Sequence, residues 1–511
     1  NKRLLNRLES SLLRGGQMKE VGFTIHDIVM VMGWAAGIIL LILFVMFLQD
    51  LFQPHSAVRK NFPVIGRMRY FLEKQGEFFR QYFFAHDRQE MPFNRATRSY
   101  VYRSSKNIKP TIGFGSTNDL REPGNVIFVS SPYAHLDEEL SSTRPKVIGE
   151  IREKPFEARS IFNISGMSFG ALSEPAVRAL SRGAADAGIW MNTGEGALSP
   201  YHLDGGGDII FQIGTAKYGV RDSDGNLCDK SLKEVAEKVV AFEIKLGQGA
   251  KPGKGGILPG HKVTPEIAAI RGIPVGQDSI SPNRHRDISN TSELFDMIHR
   301  VHEVTGRPVG IKIVAGDGAF MRELCEEIIR RGPGSEPDFI TIDGSEGGTG
   351  AAPQVLADHM GMPLNEALPI VVDTLIEYGL RQRIDIIASG KLVTASAVAK
   401  ALCLGADFCV SARGFLFSLG CIQSLQCHSD HCPTGITTQN KRLQKGLNIN
   451  LKAERVANYA RTMNKEIDMI AHSCGLKSAH EFRREHARIV ETADKSIPME
   501  ALHPYPEGGL K

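Results

Sequence analysis

A (β/α)8 barrel, preceded by one transmembrane helix and followed by a short helical C-terminal segment, is the architecture the sequence predicts. Three observations carry it: a long uncharged run near the start, a series of almost wholly apolar strand-like runs between 161 and 412, and glycine-rich turns where several of those runs end. The 511 residues exceed a ~150-residue domain about threefold, which suits one large α/β unit with appendages. Apolar residues make up 42% and charged residues 23%, with 52 Gly and 25 Pro. That is the balance of a globular enzyme and not of a disordered or collagen-like chain.

The membrane helix comes first. Residues 28–48, IVMVMGWAAGIILLILFVMFL, hold no charge over 21 positions, and at ~1.5 Å per residue such a helix spans a ~30 Å hydrocarbon core. A buried core helix seldom stays apolar on every face for so long, and a signal peptide usually has an apolar region of only ~7–15 residues. Single-pass membrane anchoring is therefore expected. Basic residues flank the run on both sides, Lys2, Arg3, Arg7, Arg14 and Lys19 before it and Arg59, Lys60, Arg67, Arg69, Lys74 and Arg80 after it, so the positive-inside rule does not orient it.

The expected organisation is an N-terminal tail at 1–27, the transmembrane helix at 28–48, a basic and aromatic juxtamembrane connector at 49–105, the barrel at 106–440 and a helical C-terminal extension at 441–511. The connector mixes its cations with Phe62, Phe71, Phe78, Phe79, Tyr82, Phe83 and Phe84. That composition suits a segment lying near lipid headgroups, and equally a linker helix packed on the next domain.

The barrel rests on the runs IFNIS (161–165), IWMNT (189–193), VVAFEIKLG (239–247), VGIKIV (309–314), DFITIDG (338–344), DIIASG (385–390) and ADFCVSA (406–412). Nearly continuous apolar runs that end in Gly, Ser, Asp or Lys mark parallel strands buried on both faces, with functional groups at their C-terminal ends. One intervening helix is legible directly: TSELFDMIHRVHEV (291–304) has a Thr/Ser start and an early acid, and Gly306 stops it. A doubly wound sheet is the rival fold, but no GxGxxG follows the first strand with a suitably spaced acid.

Net charge excludes one partner class. Sixty-one Lys plus Arg against 57 Asp plus Glu leaves only +4, too little for a dedicated nucleic-acid binder. Eight cysteines are too sparse for a secreted disulfide framework. Three of them cluster in GCIQSLQCHSDHCPTG: Cys421, Cys427 and Cys432, at C-x5-C-x4-C spacing. Thiolates this close on a Gly/Pro-bounded loop can ligate an iron-sulfur cluster, and three without a fourth suit a 3Fe-4S cluster. Zinc completed by His428 or His431 is the alternative, although the C-x2-4-C pairs of structural zinc loops are missing; three unrelated thiols are the remaining reading. A cluster and free thiols point to a barrel in the cytoplasm.

Glycine-rich turns recur at GMSFG (166–170), NTGEG (192–196), GQGAKPGKGG (247–256), GSEGGTGAAP (344–353) and SGK (389–391). Exposed backbone N–H groups on such turns can approach a flavin and its phosphate. The stretch AKPGKGG is not a Walker A loop, because Gly255 follows Lys254 where Ser or Thr is required. Lys245 and Lys312 stand in otherwise apolar strands, where an ammonium needs an anion: a reduced flavin, a substrate carboxylate, or a structural partner inside the barrel.

Together SGMSFGALSE, NTGEG, IKLGQGAKPGKGGILPGHKVTPEIA, SPNRHRDI, GGTGAAP and the Cys421 motif continuing into CPTGITTQ resemble the FMN-binding domain of glutamate synthase over roughly residues 140–445. The likeness is to the shorter glutamate-synthase-like proteins that carry this domain alone. The resemblance implies an FMN and 3Fe-4S oxidoreductase acting on CH–NH2 donors, which reduces the imine of 2-oxoglutarate and ammonia to L-glutamate. It implies that Met167 and Ser168 lie against the flavin, that Lys245, Gln248 and Lys312 lie near its ring, and that Gly348, Thr349, Gly390, Ala412 and Arg413 hold its phosphate. It also implies that Lys251 and Arg271 hold substrate carboxylates and that Glu195 acts beside the substrate.

Two departures from the family follow. Ile257 stands where full glutamate synthases usually have a glutamine that helps hold 2-oxoglutarate. Residues 1–105 contain no cysteine, so no amidotransferase with an N-terminal cysteine is expected, and nitrogen is expected as free ammonia, as an amine or from a separate glutaminase. Ile257 keeps open a different imine or amine, such as an N-alkyl amino acid. A non-catalytic membrane electron-transfer subunit is a third reading. The expected partners are a 2-oxo acid with ammonia or an amine, the membrane, and a ferredoxin, an NAD(P)H reductase or a quinone-linked donor. An oligomer is also expected.

Overall fold

The computed structural model describes residues 25–109, 111–136 and 145–507; most of the expected N-terminal tail lies outside them. The chain divides into two units, Asn1–Asn94 and Arg95–Lys511.

In the first unit the apolar run forms a helix longer than expected, Ile25–Phe52, with 28 residues and a mean hydropathy of 2.8 over its most apolar window. It is long and apolar enough to cross a membrane. Its last turn holds Asp50, whose fully buried carboxylate accepts hydrogen bonds from Arg59 Nε at 2.8 Å, Arg67 Nε at 2.8 Å and the Val64 N–H at 3.0 Å. Two cations drawn back onto one acid fold the chain sharply after the helix. The next helices, Ala57–Asn61 and Gly66–Phe79, leave Phe62, Met68, Phe71 and Phe78 exposed.

In the second unit eight parallel strands close into a barrel. They are β1 (Phe162–Ile164), β2 (Met191–Asn192), β3 (Ile209–Ile213), β4 (Ala241–Lys245), β5 (Val309–Ile313), β6 (Phe339–Asp343), β7 (Asp385–Ser389) and β8 (Phe408–Ser411), with β8 pairing back to β1. Seven correspond to the expected runs. The eighth, β3, follows β2 with no helix between them, so the strand–helix alternation that reveals the others is missing there.

The lower half of the barrel is apolar. A hairpin of Lys146–Ile148 and Phe156–Ala158 closes its N-terminal end, and Ile148 and Phe156 join Trp190, Ile210, Phe339, Ile387 and Phe408 in one buried cluster. Lys146 locks the plug by pairing with Asp385 at 2.5 Å and Asp407 at 2.6 Å.

Helix Thr291–Thr305 forms as the sequence predicts, but its N-cap is Asn290, whose side chain accepts the Glu293 N–H at 2.9 Å. Gly306 ends it in the left-handed conformation with φ 65°. The C-terminal extension supplies the helix Ile449–Ser473 and then, unlike the helical expectation, the strands Ala487–Thr492 and Lys495–Pro498, which form a three-stranded sheet with Val126–Phe128. The long helix packs on Glu174–Ala187, the helix between β1 and β2. Gly183 makes that approach possible: a Cβ there would stand 2.5 Å from Val456 Cβ and 2.6 Å from the Ala453 carbonyl oxygen. Helix Arg95–Ser105 belongs to this unit, and its Tyr102 hydroxyl donates to the Cys421 carbonyl at 2.5 Å.

Candidate active site

Side chains alternate along a strand, so Glu243 and Lys245 of β4 share one face. Both are buried. Lys245 pairs in register with Lys312 of β5, and Lys312 with Thr341 of β6. The apolar plug thus gives way upward to a polar layer. Glu243 accepts hydrogen bonds from Asn192 Nδ2 at 2.8 Å, Gln212 Nε2 at 2.6 Å and Thr341 Oγ1 at 2.5 Å. Lys312 faces Asp343 at 3.5 Å. Burial disfavours its ammonium, but Asp343 and Glu243 more than offset this and raise its pKa. The structural partner considered for Lys312 is therefore present.

Above this layer two adjoining cavities occupy the C-terminal mouth. The outer one is lined by Met167, Ser168, Glu195, Lys251, Ile257 and Arg271, together with Thr349 and Cys427; the inner one by Lys312, Asp343 and Gly390. Lys245, Gln248, Gly348, Ala412 and Arg413 border both. Every barrel residue singled out from the sequence thus lines one continuous space. Of the three cysteines, Cys427 alone reaches its wall.

Lys245 Nζ lies 3.1 Å from Glu195 Oε2 and donates to Gln248 Oε1 at 2.9 Å. Gln248 in turn donates to the Gly348 carbonyl at 2.7 Å, tying the turn after β4 to the turn after β6. Burial favours the neutral form of Glu195, yet Lys245, Lys251 and Arg271 win and hold it below the usual carboxylate value. Burial pulls Lys251 and Arg271 below their usual values. Arg271 Nη2 donates to the Phe169 carbonyl at 3.1 Å, while its buried Nε has no hydrogen-bond partner among the described residues. A buried guanidinium N–H left without an acceptor suits an anionic ligand.

On the opposite wall Gly348 lies flat against Arg413: a Cβ there would stand 2.9 Å from Arg413 Nε. Burial lowers the Arg413 pKa to about 10. Glycine turns beside a half-buried guanidinium form a cradle that fits a phosphate group.

The cysteine loop folds back on this mouth. Gln423, Leu425 and Asp430 all take the left-handed conformation, with φ of 58°, 56° and 63°, a local cost of about 1 kcal/mol or more each. The Gln423 N–H donates to Cys421 Sγ at 3.4 Å, and Thr434 Oγ1 lies 3.3 Å from Cys432 Sγ. Burial pushes the Cys421 thiol up to about 12. Among the described residues no group of three or more His, Cys, Asp or Glu converges closely enough for a single ion. Thiolates bound to three separate irons stand farther apart than the ligands of one ion.

Sequence reasoning missed Glu243, Asn192, Gln212 and Asp343, a polar layer below the mouth whose two carboxylates favour the charged form of Lys312. The i, i+2 spacing of Glu243 and Lys245 in AFEIK was the available signal. It also missed Lys262, whose role depends on residues far away in the chain.

A parallel barrel whose mouth gathers buried cations, the carboxylates of Glu195 and Asp343 and a cysteine from the following loop is the layout of a barrel enzyme for an anionic substrate. Residues 123–477 match the conserved region in glutamate synthase. A glutamate synthase large subunit-like protein, YerD of Bacillus subtilis (strain 168), is 41% identical over 88% of this chain and 93% of its own length. The archaeal glutamate synthase [NADPH] of Methanocaldococcus jannaschii is 38% identical over 66% of this chain, and the archaeal-type enzyme of Thermotoga sp. (strain RQ2) is 36% identical over 67%. The chain spans 63% and 65% of those two enzymes. The chain belongs to the glutamate synthase family, whose named members are oxidoreductases acting on CH–NH2 donors.

Proposed function

We propose that this chain is an FMN and iron-sulfur dependent oxidoreductase that converts 2-oxoglutarate and ammonia to L-glutamate. The observation that carries this reading is the meeting of Glu195, Lys245, Lys251 and Arg271 around one cavity whose wall also includes Cys427. Condensation of the oxo acid with ammonia releases water, and the imine then takes up two electrons and a proton at carbon and a proton at nitrogen. FMN bound in this cavity would supply the hydride, and Cys421, Cys427 and Cys432 would hold a 3Fe-4S cluster, which carries one electron at a time.

The chain's own groups do the rest. Lys251 and Arg271 neutralise and orient the two substrate carboxylates. Glu195, kept ionised by its cationic neighbours, accepts the proton that ammonia loses on attack and returns it to the water that leaves. Met167, Ser168, Lys245, Gln248 and Lys312 would hold the flavin ring, and Gly348, Thr349, Gly390, Ala412 and Arg413 would hold its phosphate. The helix Ile25–Phe52 anchors the chain in a membrane, with the barrel on the cytoplasmic side. Electrons come from a ferredoxin, a reductase or a quinone-linked donor.

Ile257 supports a second reading on the same site. It lies on the cavity wall and offers no hydrogen bond, which suits an oxo acid or amine with an apolar group at that point. The test is anaerobic stopped-flow absorbance of the pre-reduced protein. Flavin reoxidation on mixing with 2-oxoglutarate and ammonium, with L-glutamate formed, supports the first reading. Reoxidation only by another oxo acid and amine pair supports the second, and reoxidation by none leaves an electron carrier.

A further inference from the structure

Lys262 ends the short turn Gly260–Lys262 and is 2% exposed. Its Nζ donates to three carbonyls: Ala171 at 3.1 Å, Thr437 at 3.0 Å and Cys427 at 3.3 Å. Ala171 belongs to the turn that walls the substrate cavity, and Cys427 and Thr437 belong to the cysteine segment. All three N–H bonds of the ammonium are spent. The net charge is not neutralised, however, because among the described residues no carboxylate lies within ion-pair distance of Nζ. Carbonyl dipoles satisfy hydrogen bonds without cancelling charge, and an isolated buried cation is costly. The charges that act on this ammonium are Asp430, the thiols of Cys427 and Cys432 when ionised, and the repelling Arg271.

We infer that Lys262 is the built-in counter-ion of the centre held by Cys421, Cys427 and Cys432, and that it raises the reduction potential of that centre while tying the cysteine loop to the substrate-cavity wall. The inference rests on the iron-sulfur reading above. A thiolate-bound cluster becomes more negative when reduced, so a fixed buried cation beside it stabilises the reduced form more than the oxidised one. Lys262 touches no substrate and is a positioning and tuning residue.

The test uses the full chain in detergent, with iron and acid-labile sulfide analysis and an EPR-monitored redox titration of the cluster. Lys262→Gln keeps amide donors for the carbonyls but removes the charge, and its midpoint potential is expected to be more negative than that of the wild type. Lys262→Arg keeps the charge and is expected to stay near the wild-type potential. A Gln variant with full cluster content and an unchanged midpoint would overturn the inference. Where the Gln variant holds no cluster, recovery of the cluster in Lys262→Arg supports a charge role, and its loss in both variants overturns it in favour of packing. A wild-type protein without iron would instead sink the iron-sulfur reading itself, which is a separate result.

Discussion

Lys245 Nζ stands 3.1 Å from a carboxylate oxygen of Glu195, so an inward lysine at the end of β4 and the acid of the NTGEG turn form an ion pair on the wall of the outer cavity. The pair is partly buried, and it sets the charge state of the acid that the proposed chemistry needs.

Removing the cation leaves burial as the dominant influence on Glu195, and burial favours the protonated acid. In Lys245→Met the acid limb of the pH profile of kcat/KM is expected to move to higher pH. The measurement is kcat/KM for the oxo acid across the acid range, and an unmoved limb would count against Glu195 as the titrating group.

Lys251→Ala is expected to raise KM for the oxo acid about tenfold or more, the effect of losing one charge-assisted hydrogen bond of roughly 1.5–3 kcal/mol. Flavin content should stay at the wild-type level. Steady-state kinetics with absorbance of bound flavin checks both, and an unchanged KM rules out the clamp.

Cys427→Ser removes one ligand of the proposed centre at the cavity wall. Iron content and the EPR signal are expected to fall to background while the far-UV circular dichroism stays that of the wild type. Retained iron would exclude Cys427 as a ligand.

His202 and His285 are buried neutral bases, each lowered from 6.5 to about 4 by burial. One nitrogen of His202 lies 3.2 Å from the Met167 carbonyl and one of His285 lies 3.0 Å from the Lys245 carbonyl. The unfolded chain therefore binds protons that the folded chain does not between these values. Stability from each is complete above pH 6.5 and is lost as pH falls to about 4, by about 3 kcal/mol at ~1.4 kcal/mol per unit. Thermal melts are expected to drop over that window, and His202→Gln should remove about half of this histidine contribution. An unaltered pH dependence in that variant would refute the assignment.

Much of the barrel was legible because strands buried on both faces leave long apolar runs, and because Lys245 and Lys312 stand out against such a background. Strand β3 was not, since the segment before it carries no helix. The acid at the centre of the polar layer was also hidden: Glu243 sits two positions from Lys245 in sequence, whereas its donors Asn192, Gln212 and Thr341 come from three other strands.

The apolar runs and the glycine turns after them indicated by themselves a barrel with functional groups at its C-terminal mouth, and the family motifs pointed to the residues that line it. The contacts among those residues were decided by tertiary structure. Lys262 shows why: the carbonyls it binds lie 91, 165 and 175 positions away. They become neighbours only when barrel closure brings the first turn, the fourth turn and the cysteine loop to one rim. No local pattern encodes a buried ammonium whose hydrogen-bond acceptors lie so far along the chain.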